Sequence, residues 1–161
     1  PGCAAPAPRV VDVPAVRGTG TKLSRIGELL LSVQAEPVVL FVQWRSMVRE
    51  TKAFLNELGL RVLTLDGNAT QRATTLESFK ANGVLLLCLE DSFAGLHLAH
   101  ARCVIFAHAI VGDRDSVQQL ERQAIARCVR QGQTGRVAVH SFVVTESVEE
   151  SLWHQTHATP P

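Results

Sequence analysis

The chain has 161 residues, 46% of them hydrophobic and 19% charged, with a formal net charge of +1. That is enough for one domain with its own core, too little for two ordinary ones, and it excludes a disordered chain. The near-neutral balance also excludes a globally basic nucleic-acid binder, so any phosphate contact must come from a local patch.

Residues 1–20, "PGCAAPAPRVVDVPAVRGTG", are rich in Pro, Gly and Ala and read as a linker, with a short extended piece at "RVVDV". The opening Pro implies a fragment of something longer, and neither a signal-peptide pattern nor a membrane-length apolar run is present. Leu23, Ile26, Leu29, Leu30 and Val33 recur at helical spacing, and Pro37 ends that helix. "VVLFV" follows as a buried strand. Residues 46–58 predict an amphipathic helix through Met47, Val48, Phe54, Leu55 and Leu58, with Gly59 as its C-terminal stop. "RVLTL" is the second strand. Thr70 to Lys80 is the next helix, with Ala73, Leu76 and Phe79 inward, and "VLLLCL" and "CVIFA" are the third and fourth strands. Ser116 is expected to cap a helix running to about Arg130. "RVAVHSFVV" is the final strand, "SVEESLWHQ" the closing helix with Thr145 as its cap and Leu152 and Trp153 as its anchors, and residues 158–161 a tail.

Strands that alternate with helices and are apolar on both faces imply an α/β fold with a parallel sheet covered on both sides. Ligands in such sheets bind beyond the C-terminal strand ends, here after Phe41, Leu65, Leu87 and Phe106. No glycine-rich phosphate loop is present; "GTGTK" lacks the spacing and no clear strand leads into it. Cys88, Cys103 and Cys128 lie in apolar segments and read as buried reduced thiols. His140 reads as an inner strand histidine, and no metal site is expected from His154 and His157.

In the helix that precedes the last strand, Val117, Leu120, Ala124 and Cys128 form one stripe, and Gln123, Arg127 and Arg130 another. The apolar stripe can dock on the sheet. The Gln/Arg stripe is either a solvated basic face, with Arg127 paired to Glu121 or Glu149, or a pair of guanidiniums offered to phosphate.

"QAIARCVRQGQ" resembles motif VI of the SNF2 branch of superfamily 2 helicase-like ATPases, Q-A-x-x-R-x-x-R-x-G-Q, through Gln123, Ala124, Arg127, Arg130, Gly132 and Gln133. "VVLFVQWRSMV" resembles motif IV, with Phe41, Gln43 and Trp44 retained. "LDGNATQR" with Phe79 resembles the L-D-G…R…F segment, and "LLLCLEDSFAGLHLAHARCVI" resembles motif V. "TKLSRIGELL" and "VAVHSFVVTESVEESL" resemble the opening helix and the closing strand and helix. The resemblance covers residues 20–153 and implies a three-layer RecA-like lobe over residues 21–157, the second of two, with a mostly parallel sheet flanked by helices.

For the site, the resemblance implies ATP and Mg²⁺ bound mainly by a first lobe, with Arg127 and Arg130 as arginine fingers. Gln123, Gly95, Gly132 and Gln133 would border the nucleotide. Double-stranded DNA or a nucleosome would meet Gln43, Trp44, Arg45, Ser46, Gly67, Arg72, Ser92 and His97, although Trp44 also reads as packing at a strand end. A nuclear protein of chromatin remodelling or DNA repair is the expectation. The departures are Ser92-Phe93 for a double glycine, His97 for Asn, Cys88 for Ser, and the acidic pair Glu90 and Asp91 beside the expected phosphate contacts. "VRGTGTK" and the lost double glycine resemble SHPRH-type ubiquitin ligases, which implies an adjacent RING that would include Cys3 and recruit a ubiquitin-conjugating enzyme. The alternative function is then a degenerate lobe that serves as a scaffold.

Overall fold

The computed structural model describes residues 20–33, 35–91, 95–129 and 135–157. In chain order these form α1 (Thr21–Ser32), β1 (Pro37–Val42), α2 (Arg45–Glu57), β2 (Val62–Leu63), α3 (Ala69–Phe79), β3 (Gly83–Cys88), β4 (Cys103–Phe106), α4 (Arg114–Cys128), β5 (Ala138–Ser141) and α5 (Val148–His157). Residues 1–19 of the expected linker 1–20, the tail 158–161, Cys3, Ser92, Arg130, Gly132 and Gln133 lie outside the described residues. Among the described residues no helix is long and apolar enough to cross a membrane.

The sheet runs β2-β3-β1-β4-β5, and every pairing is parallel. Period-two alternation splits the apolar strands between two cores. Val39 and Phe41 of β1, Leu85 and Leu87 of β3, and Val104 and Phe106 of β4 face Phe79 of α3 and Val117, Ala124 and Cys128 of α4. Val38, Leu40, Val42, Leu86 and Ile105 face Ile26 and Leu30 of α1 and Phe54 and Leu55 of α2. Each such side chain contributes about 1.5–3 kcal/mol on leaving water, which is why β1, β3 and β4 carry no polar residue that needs a partner. Cys88, Cys103 and Cys128 are buried free thiols, and burial pushes Cys103 and Cys128 up to about 12.

Four expectations need correction. The strand expected over 136–144 is the four-residue edge strand β5, whose Ala138 and Val139 are exposed because, among the described residues, no further strand or helix covers them. Ala73 is exposed rather than inward; only Phe79 of α3 is fully buried. The cap of α4 is Asp113, whose carboxylate accepts the Ser116 N–H at 3.0 Å, so Ser116 is the donor and not the cap. At α5 the Ser147 hydroxyl, rather than Thr145, accepts the Glu149 N–H at 3.1 Å. Gly59 does follow α2 as expected, at φ +76°, a backbone that favours a residue without Cβ.

Candidate nucleotide and nucleic-acid interface

Parallel pairing places the segments after β1, β2, β3 and β4 at one edge of the sheet. Gln43 is the hub there. Its backbone N–H donates to His108 Nε2 at 2.9 Å, and its carbonyl accepts the Cys88 thiol at 3.2 Å. Its side-chain amide donates to the Val111 carbonyl at 2.9 Å and accepts the Val111 N–H at 2.8 Å. Trp44 stacks on the His108 ring, centroids 5.1 Å apart and planes 3° from parallel, and its outer face is open. Burial is the main force that lowers the His108 pKa from its usual 6.5. The neutral ring then has Nε2 as acceptor and Nδ1–H directed at the Ala109 carbonyl, 3.2 Å away.

The acidic pair also has structural work at this edge. Glu90 accepts the Arg45 N–H at 3.2 Å, which caps the first turn of α2, a helix with no side-chain cap of its own. Asp91 pairs with the Arg45 guanidinium. Ser46 is exposed in the same turn. Beyond β2, Gly67 has φ +82°, and a Cβ there would strike the Gln71 side chain that closes the capping box with Asn68. Arg72 donates from Nε to the Leu65 carbonyl at 3.2 Å, which fixes it beside that turn.

α4 runs antiparallel to the strands it connects, so Arg127 sits at the opposite end of the sheet from Gln43. Its apolar stripe is as expected, with Val117, Ala124 and Cys128 buried and Leu120 packed against them. Gln123 is exposed and Arg127 half-buried. Neither Glu121 nor Glu149 is left to pair with Arg127: Glu121 meets His157 Nε2 at 2.9 Å, and Glu149 pairs with Lys22. Among the described residues the Arg127 guanidinium has no hydrogen-bond or ion partner. Its carbonyl, however, accepts the Leu98 N–H at 3.0 Å, which ties the motif V segment to the end of α4. Gly95 (φ +79°) and His97 are exposed on that segment, and Leu98 is buried.

The structure therefore gathers Gln43, Trp44, Arg45 and Ser46 at one edge, with Gly67 and Arg72 beyond β2 at that edge, and holds Arg127 and Gln123 apart on the far part of α4. Sequence reasoning missed His108 and Val111. The only local signal was a histidine directly after the apolar run "CVIFA".

Residues 21–132 match the helicase conserved C-terminal domain family. Protein CHROMATIN REMODELING 19 of Arabidopsis thaliana is 32% identical over 139 residues, which are 82% of this chain and 18% of that protein. DNA repair protein RAD5 of Candida glabrata is 33% identical over 141 residues, 81% of this chain and 12% of that protein. This chain thus spans less than a fifth of either relative. The crystal structure of the C-terminal part of the Fun30 ATPase domain has the same fold, with a TM-score of 0.72 at 22% identity over 87% of this chain and 46% of that one. With its motifs in order on a five-stranded parallel sheet flanked by helices, the chain belongs to the helicase conserved C-terminal domain family, in the SNF2 branch.

Proposed function

We propose that this chain is the second lobe of an SNF2-type, ATP-dependent DNA translocase or chromatin remodeller, with Arg127 as an arginine finger. The observation that carries the reading is that Arg127 is half-buried and the described residues offer its guanidinium no counter-charge. A cation held that way gains most when an anion arrives, and a planar fork suits a phosphoryl group whose charge grows in the transition state. ATP and Mg²⁺ would be held mainly by lobe 1, with Arg130 as the second finger and Gln123, Gly95, Gly132 and Gln133 around the nucleotide. Duplex DNA or a nucleosome would meet Gln43, Trp44, Arg45, Ser46, Gly67 and Arg72 at the other end, together with Ser92 and His97 of the motif V segment. Relatives named for chromatin remodelling and DNA repair support a DNA partner and a nuclear site of action.

The deciding experiment is DNA-stimulated ATP turnover by the full-length protein and its Arg127→Ala variant, with nucleotide binding measured alongside. Turnover lost with binding kept is expected; equal turnover by the variant removes the finger from the account. This chain alone, without a P-loop, is expected not to hydrolyse ATP.

A second reading is a scaffold lobe in a SHPRH-type ubiquitin ligase that engages a ubiquitin-conjugating enzyme through a RING. It is favoured by one observation, the Glu90–Asp91 pair that already occupies Arg45. No duplex binding at low salt, together with no ATP turnover in the full-length protein, would select it.

A further inference from the structure

We propose that Gln43 is a positioning residue: it fixes the segment that leads into α4 and so sets the placement of Arg127 at the helix's other end. The proposal rests on the finger reading of Arg127.

All four polar groups of Gln43 are engaged within the chain, by His108, Cys88 and, twice, Val111. The two bonds to Val111 imitate a strand bridge, because a side-chain amide takes both the N–H and the carbonyl of one residue. Only Gly112 separates Val111 from Asp113, the cap of α4. Glycine gives a joint no stiffness of its own, so without the clamp this joint can hinge. From there α4 runs 15 residues as a rod about 20 Å long. Its far end is held by the Leu98 N–H on the Arg127 carbonyl. Between its ends α4 is seated on the sheet by Val117, Ala124 and Cys128 and bonded to α5 by Gln118, whose amide donates to the Thr156 carbonyl at 2.7 Å, so the motif IV and motif V tethers set its fine placement. The motif IV tether depends on one side chain, which makes it open to mutation.

The test uses the full-length protein with Gln43→Leu, which removes both bonds to Val111 at similar volume. Gln43→Glu is compared, since it keeps an acceptor for the Val111 N–H but sets a carboxylate against the Val111 carbonyl. For Gln43→Leu, kcat at saturating DNA should fall about 10- to 100-fold while KM for ATP and duplex affinity stay within about threefold, the pattern of a displaced catalytic group. Affinity for ADP–aluminium fluoride should fall with kcat while ADP affinity holds. Gln43→Glu should lie between the two. Hydrogen exchange at the Val111 amide should quicken in Gln43→Leu. Weaker duplex binding with kcat unchanged would make Gln43 a DNA contact and overturn the proposal. An equal loss of ADP, analogue and duplex binding would reduce it to general destabilisation. If the wild-type protein shows no turnover, the finger reading has failed and the proposal with it; quickened Val111 exchange in the variant would then place the fault in the finger reading and not in the clamp. Unchanged Val111 exchange would overturn the clamp itself.

Discussion

Around Gln43, at one end of α4, each backbone and side-chain polar group of the hub residue meets a partner inside the chain, and an aromatic pair closes over them. At the other end of the same helix, Arg127 is half-buried with no counter-charge among the described residues, and Gln123 stands in solvent. A network in which every polar group has a partner is costly to open, whereas a half-buried cation gains most when an anion arrives to complete it. One end is therefore built for shape, the other is the end that the proposed finger reading assigns to a ligand, and a single helix joins them.

The comparison can be broken most forcefully at the ligand end. Arg127→Ala should lower DNA-stimulated turnover of the full-length protein by about 10³–10⁵-fold, the range attributed to arginine fingers, with little change in folding stability. Steady-state hydrolysis and thermal melting of the same sample check both halves. Phe106→Ala strikes the shape end. Phe41 and Phe106 stack at 5.4 Å, each 1% exposed, so the truncation should cost about 3–5 kcal/mol in denaturant unfolding. A cost near 1 kcal/mol would mean that this core relaxes around the gap.

pH sharpens the contrast more finely. Burial lowers the folded-state pKa of His108 below 6.5, Lys22 pushes the same way, and the Ala109 carbonyl and Glu149 oppose. The folded state therefore resists protonation more than the unfolded state. The ring's stabilising role is complete above 6.5 and declines as pH falls below it towards the lowered folded value. Urea midpoints should drop across that window in the wild type and drop less in His108→Phe, which keeps a ring under Trp44. The smallest expected effect is at Asp91. Asp91→Asn releases Arg45 from an ion pair whose side chains are 74% and 44% exposed, so duplex affinity should rise only a few-fold. The log–log salt slope should steepen by about 1 as one more phosphate is contacted. Identical salt slopes would show that Arg45 does not reach DNA.

Much of this architecture was legible in the residues. β1, β3 and β4 are runs such as "VVLFV", buried on both faces, and only a central parallel strand tolerates that. β5 misled because an edge strand uses the same β-branched vocabulary while its flanks stay open. Ser116 reads as the cap of α4 from the sequence, but Asp113, three residues earlier in "GDRDSV", has the carboxylate that reaches the Ser116 N–H. At the candidate site, the placement of Gln123 and Arg127 on one helix was legible because their spacing is local. The Gln43 contacts with His108 and Val111 span 65 and 68 residues, and no window of sequence encodes a pairing at that distance. Glu90 and Asp91 were visible as misplaced charge, yet their roles at α2 depended on Arg45, 45 and 46 residues away in the chain.

The position of β1 also governs how the lobe is made. It lies at the centre of the sheet, but its neighbours come late: Pro37 pairs with Gly83, 46 residues on, and Val38 with Cys103, 65 residues on. Contacts of such high order make folding slow, since a long loop must close before any pairing rewards it. During synthesis at roughly 5–20 residues per second, "VVLFV" waits on the order of several seconds with both edges open. Through that interval its open edges are a template for pairing with another chain, which a chaperone would shelter.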